Sequence, residues 1–236
     1  MTRPTTPPVR VLAVDIGGTH VKMLATGHRQ RVEFSSGPKM TPAKMVAAVR
    51  AATSGWKYDV ISIGYPGAVV HGRPISEPCH LGSGWVGFDF TKAFGRPVKI
   101  VNDAAMQALG SYHGGRMLFL GLGTGLGSAF IVDNVLEPME LAHLPYKKGR
   151  TYEDYLGIAG LKRQGRKKWR HHVSQIVQQL KSAMQADYVV LGGGNAKRLK
   201  KLPSGARLGD NANAFQGGYR LWSSRFSGST QDRFTH

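Results

Sequence analysis

Residues 11–26, Val-Leu-Ala-Val-Asp-Ile-Gly-Gly-Thr-His-Val-Lys-Met-Leu-Ala-Thr, place two apolar runs on either side of an Asp-Ile-Gly-Gly-Thr segment. That pattern commits this part of the chain to a strand, a tight turn and a returning strand. Glycines 17 and 18 can take φ > 0 and leave their N–H groups uncovered, and Thr19 adds a hydroxyl. Gly17, Gly18 and Thr19 are therefore candidate phosphate contacts, with Lys22 just beyond them. Asp15, at the end of the first strand, is placed to hold Mg²⁺ through water. An ordinary Gly-Gly hairpin carries the same signature.

The pattern recurs. Apolar runs at 116–122 and 127–133 flank Gly121-Leu-Gly-Thr-Gly-Leu-Gly127, so Thr124, Gly125 and Gly127 form a second candidate anion turn. No Gly-Lys-Ser or Gly-Lys-Thr follows either set of glycines, which excludes a Walker loop. Both halves thus begin strand, glycine turn, strand, a weak internal duplication of one α/β unit. The spacing predicts a meander over 9–15, 20–26 and 31–35, and a helix starting at Thr41-Pro42 and stopped by Gly55. A buried strand is expected at 59–64, and the Gly/Pro-rich 66–97 reads as a long loop region with short strands. Further on come a strand at 98–101, helices at 104–111, 151–158 and 167–185, a strand at 187–191, Gly192-Gly-Gly194 and a closing helix near 211–224. The expected division is a disordered tail at 1–8, a small α/β domain over 9–111 and a large one over 112–236. The last helix is placed to pack back on the small domain, and a frayed polar tail starts at Ser227.

Charge narrows the partners. The chain has 32 Lys+Arg against 14 Asp+Glu, a formal charge of +18, which calls for a polyanionic partner or surface. Lys147, Lys148, Arg150, Lys162, Arg163, Arg166, Lys167, Lys168 and Arg170 crowd one stretch, and Lys197, Arg198, Lys200, Lys201 and Arg207 another. Arg166, Lys167, Lys168 and Arg170, with Lys197, Lys200 and Lys201, form a candidate track for a long polyanion; a solvated basic face is the plainer alternative. A single cysteine, Cys79, excludes an intramolecular disulfide and a cysteine-rich zinc site, so no zinc is expected. The first eight residues lack the apolar core of a signal peptide, and no run approaches the roughly 20 apolar residues of a membrane span. A cytoplasmic protein with no membrane partner is expected.

Asp103, beside Asn102 where a strand hands over to a helix, is the candidate general base: a carboxylate at a strand end can take a proton from an alcohol attacking a phosphate. Asn102 and Asp103 are equally good helix caps. Glu140, His143 and Glu153 lie in a polar connection and could accept hydrogen bonds from sugar hydroxyls. The Glu-x-x-His spacing also suits a metal, although no third ligand is near in sequence.

Together these segments resemble a known family. Asp15-Ile-Gly-Gly-Thr19, Asn102-Asp103-Ala104, Gly121-Leu-Gly-Thr-Gly-Leu-Gly127, Glu140-Leu-Ala-His143 and Leu191-Gly-Gly-Gly-Asn195 occur in the order seen in the ROK (repressor, open reading frame, kinase) sugar kinases. Thr151-Tyr-Glu-Asp-Tyr-Leu-Gly157, standing where typical members carry a cysteine-rich zinc motif, makes the chain look most like the polyphosphate glucokinase branch. The resemblance implies a two-lobed actin-like (ribonuclease H-like) ATPase/sugar kinase fold closing over a cleft. It also implies phosphoryl transfer from inorganic polyphosphate, and also from ATP, to the 6-hydroxyl of glucose or a related hexose. Asp103 would then be the base, and Asn102, Glu140, His143 and Glu153 the sugar contacts; Gly193 and Gly194 would join the phosphate contacts, Mg²⁺ would bridge donor oxygens near Asp15, and the protein would be a homodimer. Two positions depart from the pattern. His80 stands at a sugar-contacting position where Asn is usual, which leaves the hexose open, and Ala142 replaces the glycine of Glu-x-Gly-His. An ATP-dependent hexokinase of the same fold and a non-catalytic polyanion- or nucleic-acid-binding relative are the alternatives. ROK repressors add an N-terminal helix-turn-helix for which residues before Val9 leave no room, so DNA is not an expected partner.

Overall fold

The structure, a computed structural model, describes residues 9–210, 212–224 and 226. The tails expected at 1–8 and from Ser227 lie outside the described residues.

Two five-stranded sheets share one plan. In the first, β1 (Val11–Ile16), β2 (His20–Ala25) and β3 (Val32–Ser35) form the expected meander. Helix α1 (Pro42–Ala52) leads to β4 (Val60–Tyr65), which returns parallel to β1. Two-residue strands β5 (Val69–Val70) and β6 (Arg73–Pro74) pair with each other, and α2 (Phe90–Phe94) precedes β7 (Val98–Asn102), giving the order β3-β2-β1-β4-β7. In the second, α3 (Asp103–Ser111) precedes β8 (Arg116–Leu122), β9 (Leu126–Val132) and β10 (Val135–Met139), an antiparallel meander. Helices α4 (Tyr152–Leu156) and α5 (Ile158–Ala183) lead to β11 (Tyr188–Gly192), parallel to β8, then β12 (Ala206–Leu208) and α6 (Asn213–Arg220). The order β10-β9-β8-β11-β12 repeats that of the first sheet, so the internal duplication read from the two glycine turns extends to whole sheets.

Contacts divide the chain into two units, one ending at Val101 and the other starting at Asn102. The division falls ahead of α3, whereas the sequence placed it after residue 111. The reason is packing: α3 lies against α6, β8 and β9. The first unit closes around Leu12, Val14, Ile16, Met45, Ile61, Ile63 and Trp85. The second closes around Leu118, Leu120, Leu122, Trp169, Val173 and Ile176. Strands β1, β4 and β11 are buried almost along their whole length, as expected of central strands covered on both faces.

Local signals account for most boundaries. Thr41 caps α1, its hydroxyl accepting from the Lys44 N–H, with Pro42 in the first turn. Thr151 and Asp154 make a reciprocal capping box on α4. The sequence predicts neither α2 nor β10. Helix α2 carries its own punctuation, Asp89 accepting from the Lys92 N–H and Gly95 in the left-handed region at φ 66°, inside a stretch too irregular to show a period. Hairpin β9–β10 turns on Asp133 (φ 49°) and Asn134 (φ 71°), the pair of left-handed residues a two-residue loop requires. The helix expected from 167 is the second part of α5, which breaks at Gly165 (φ 74°, ψ 162°). Among the described residues no helix is long and apolar enough to cross a membrane.

Candidate active site

Each sheet offers its first hairpin turn, and the two are built differently. In the first unit the Gly17 N–H donates to the His20 carbonyl (2.9 Å), so it is committed to the turn rather than uncovered. Ser36, one residue past the meander the sequence singled out, clamps the loop. Its Oγ donates to the Gly17 carbonyl (2.6 Å) and its N–H to the Thr19 carbonyl (2.9 Å). Neither Gly17 nor Gly18 is left-handed. The expected φ > 0 is therefore corrected, and glycine is needed there for space. A Cβ on Gly17 would lie 3.0 Å from the His20 carbonyl oxygen, and one on Gly18 2.9 Å from the His80 Cβ. His80, expected at the sugar, thus lies against the first glycine turn.

Asp15 sits opposite Lys22 in the β1–β2 register. Burial pushes its carboxyl above the usual carboxylate range, and Lys22 opposes that in part. A carboxylate raised on folding favours the folded state at low pH and loses that advantage as pH rises through its unfolded value near 4 and then its folded value. Asp15→Asn should therefore raise the melting temperature at pH 7 relative to wild type and flatten the fall in stability between acid and neutral pH. Thermal unfolding followed across that range checks it.

In the second unit the turn is a three-residue loop, Gly123-Thr124-Gly125, between paired Leu122 and Leu126. The Gly123 N–H is shared between the Gly121 and Gly125 carbonyls, both at 3.1 Å. Asn195, buried after β11, donates its N–H to the Leu122 carbonyl and its Nδ2 to the Gly123 carbonyl, each at 2.9 Å. Glu153 Oε2 accepts the Leu126 N–H (3.0 Å), and the Ile158 N–H donates to the Thr124 carbonyl (3.0 Å). The glycines make room for these braces: a Cβ on Gly125 would run into the Glu153 carboxylate, and one on left-handed Gly193 (φ 80°) into the Leu122 backbone. Thr124 and Gly194 remain exposed at the rim.

The start of α3 packs directly on this turn. A Cβ on Gly127 would lie 2.7 Å from the Ala104 Cβ, so Asp103 is held next to β9 by a contact only glycine permits. Asn102 is the cap, its Oδ1 accepting from Ala104 (2.9 Å) and Ala105 (3.3 Å) N–H groups. Asp103 is the first helical residue, half-buried, with Oδ1 accepting the Ala104 N–H at 2.8 Å. Capping thus falls to Asn102.

Glu140 and His143 are exposed at the two ends of a short 3-10 turn, Leu141–His143. The Ser128 hydroxyl fixes that turn, donating to the Met139 carbonyl (2.6 Å) and accepting from the Leu141 N–H (3.1 Å). The Tyr152 N–H donates to the Leu144 carbonyl (3.0 Å), which holds the turn beside α4 and Glu153. Glu140, His143, Glu153, Asp103 and the second glycine turn therefore belong to one contiguous framework.

The two basic stretches also meet. Arg166, Lys167 and Lys168 are exposed just after the Gly165 break, while Arg170 Nε donates to the Arg198 carbonyl (2.8 Å). Arg198 Nε in turn donates to Asn195 Oδ1 (3.0 Å), so the segment bearing exposed Lys197, Lys200 and Lys201 is tied through Asn195 to the glycine turn. Sequence reasoning missed Ser36, Ser128 and the bracing roles of Arg198 and Asn195. Arg198 showed only as one of a basic stretch, and Asn195 by its place after three glycines. Trp85 is fully buried, its Nε1 donating to the Gly82 carbonyl (2.6 Å), and it supports its loop.

Among the described residues no cluster of three or more His, Cys, Asp or Glu could hold a metal ion. Asp15 offers a single carboxylate whose charge is held at a disadvantage by burial. That donor set fits Mg²⁺ arriving with phosphate oxygens and water, the usual way this ion is bound.

A family model described as "ROK family" matches residues 11–137, more than half of the chain. The polyphosphate glucokinase of Mycobacterium tuberculosis (strain CDC 1551 / Oshkosh) is 25% identical over 211 residues, covering 80% of this chain and 78% of its own. Among solved structures, the inorganic polyphosphate/ATP-glucomannokinase from Arthrobacter sp. strain KM matches with a TM-score of 0.75 at 23% identity, over 89% of this chain and 97% of that one. The ROK family glucokinase from Streptomyces griseus, in complex with glucose and AMPPNP, matches with a TM-score of 0.68 at 16% identity, over 90% and 98% of the two chains. These likenesses show the fold: two α/β units of the actin-like sugar kinase type.

Proposed function

This chain belongs to the ROK family, and we propose that it is a hexose kinase that transfers the terminal phosphoryl group of inorganic polyphosphate, and secondarily of ATP, to the 6-hydroxyl of glucose or a related hexose. The observation that carries this reading is the contact of Ala104 with Gly127, which keeps the Asp103 carboxylate beside a glycine turn suited to phosphate.

Asn102, Glu140, His143 and Glu153 are the proposed sugar contacts. Asp103 accepts the proton of the 6-hydroxyl as its oxygen attacks the terminal phosphorus, and the shortened donor leaves with the bridging oxygen. Thr124 and the N–H groups around Gly125, Gly127, Gly193 and Gly194 stabilise the charge on the transferred group. Their braces to Asn195 and Glu153 mean that little reorganisation is needed. In the first unit, Gly18, Thr19 and Lys22 are assigned phosphate as their ligand, and His80 contributes to the choice of hexose. Mg²⁺ at Asp15 would supply charge neutralisation on donor oxygens.

Polyphosphate is placed ahead of ATP because of the basic segments. A nucleotide needs a short cradle, whereas a polymer of phosphates rewards an extended row of cations and binds with a steep salt dependence. The link Arg170–Arg198–Asn195–Gly123 brings such a row to the glycine turn. A coupled assay with glucose and either donor tests the reading. Wild type should turn over both, and Lys167→Glu/Lys168→Glu should raise KM for polyphosphate about tenfold with a smaller effect on KM for ATP. Equal use of both donors, untouched by that charge reversal, would leave an ATP-type hexokinase; no hexose phosphorylation at all would leave a polyanion-binding relative.

A further inference from the structure

A pocket of about 590 Å³ opens in the second unit between the 146–150 turn, α4 and α5, lined by Lys147, Lys148, Arg150, Arg163, Tyr155, Gln164 and His172. None of its four cations belongs to the roles assigned above. The turn that carries three of them is tightly made: the Tyr146 N–H donates to the Arg150 carbonyl (2.8 Å), Pro145 bridges to Thr151, and Lys148 is left-handed at φ 53°. Backbone in that region is uncommon for lysine, and here it fans three cations around one opening.

Among the described residues no carboxylate forms an ion pair with them. The two ion pairs formed among the described residues, Arg10–Asp59 and Arg31–Glu33, are both in the first unit. The Asp154 carboxyl is held below its usual range first by the Thr151 N–H (2.9 Å) in the capping box of α4 and in smaller part by the charges of Arg150 and Arg163, so it offsets two of the four cations only in part. Arg163 is steered by donating to the Asp154 carbonyl and by lying over the Tyr155 ring, 5.6 Å from its centroid. Lys147 is steered by Gln175 Oε1 (3.2 Å). His172 meets the Tyr146 hydroxyl at 3.1 Å through Nδ1. Burial, then the charges of Lys147 and His171, push its imidazole below its usual value, the sign expected where positive charge is in excess. A concave site with one sign of charge focuses the field outward and concentrates an anion of the opposite sign.

We infer that this pocket is a second phosphate subsite, taking phosphoryl residues of a linear polyphosphate chain away from its reacting end. Helix α4 connects it to the glycine turn: Glu153 on that helix holds the Leu126 N–H, and Tyr155, two residues on, lines the pocket. A chain whose end lies at the turn can continue past α4 and be held again, so the pocket selects for donors longer than a nucleotide's triphosphate. The inference rests on the phosphoryl-donor reading above for the choice of ligand.

The test is direct binding, without hexose, of fluorescently labelled long-chain polyphosphate, with tripolyphosphate, ATP and a short RNA as competitors. Lys147→Ala/Arg163→Ala and, separately, Lys148→Ala/Arg150→Ala should each weaken long-chain binding about tenfold and make its salt dependence shallower by about 1.5 in log–log slope. Tripolyphosphate and ATP should change little, so the preference for long chains should shrink. Thermal unfolding of both variants identifies any loss due to folding, and all substituted side chains are exposed. Unchanged long-chain affinity in both folded variants overturns the subsite. RNA competing as well as polyphosphate, and losing as much in both variants, also overturns it in favour of a general polyanion surface. If wild type phosphorylates no hexose yet the variants lose polyphosphate, the kinase reading falls and the subsite stands.

Discussion

Asp103→Asn is expected to lower kcat for hexose phosphorylation by about 10²–10⁴-fold, the range associated with losing a general base, while the hexose dissociation constant and the melting temperature stay near wild type. The substitution is close to isosteric, and the amide oxygen can go on accepting the Ala104 N–H that the carboxylate accepts at 2.8 Å. Because Asn102 already caps α3, the helix loses only the favourable placement of a negative charge in its first turn, about 0.3–1 kcal/mol. Chemistry and structure are therefore separable at this residue. Steady-state kinetics with either donor, beside calorimetric binding of glucose, distinguish the two. A kcat within a few-fold of wild type would make Asp103 a helix-start residue and remove the proposed mechanism.

The largest effect on stability is expected where α3 crosses α6. Gly110 and Gly217 face each other there with backbone on backbone: a Cβ on Gly217 would run into the Met106 carbonyl, and one on Gly110 into that of Asn213. Asn213 Nδ2 donates to Ser111 Oγ (3.0 Å), and Arg220 Nη1 donates to the Leu109 (2.6 Å) and Tyr112 (2.9 Å) carbonyls, closing the end of α3. A side chain at 217 can enter only by prising the helices apart. Gly217→Val should cost about 3 kcal/mol or more, lowering the melting temperature by roughly 6–12 °C. Gln216→Val, one residue away and exposed, should cost less than about 1 kcal/mol. Where the Gly217 variant still folds, kcat should fall with stability, because α3 sets the position of Asp103.

What could be read from the chain follows the range of the forces involved. The two glycine turns, the Thr41 cap and the strand–turn–strand beginnings of both halves rest on neighbours a few residues apart, and these are the features the sequence shows. Helix α2 and strand β10 also rest on local signals, Asp89 with Gly95 and Asp133 with Asn134, hidden in stretches with no apolar period. The reason for the glycines was not legible. Gly18 makes room for His80, Gly125 for Glu153 and Gly127 for Ala104, and nothing near those glycines in sequence announces such partners. Ser36 and Ser128 each make a pair of hydrogen bonds to backbone well away in sequence, and the Arg198 carbonyl accepts from Arg170, none of which leaves a periodic trace.

The crossing of α3 and α6 also sets an order of events during synthesis. Ser111 and Asn213, which meet across it, are separated by 102 residues, so the face of α3 that α6 covers stays open until the ribosome has released the chain through Arg220. The first unit, complete by Val101, can form while translation continues, at a pace of about 5–20 residues per second. The α6-facing part of α3 must wait several seconds longer for its cover. Newly made protein should therefore pass through a stage in which its first half is folded and protease-resistant while α3 is still open to cleavage.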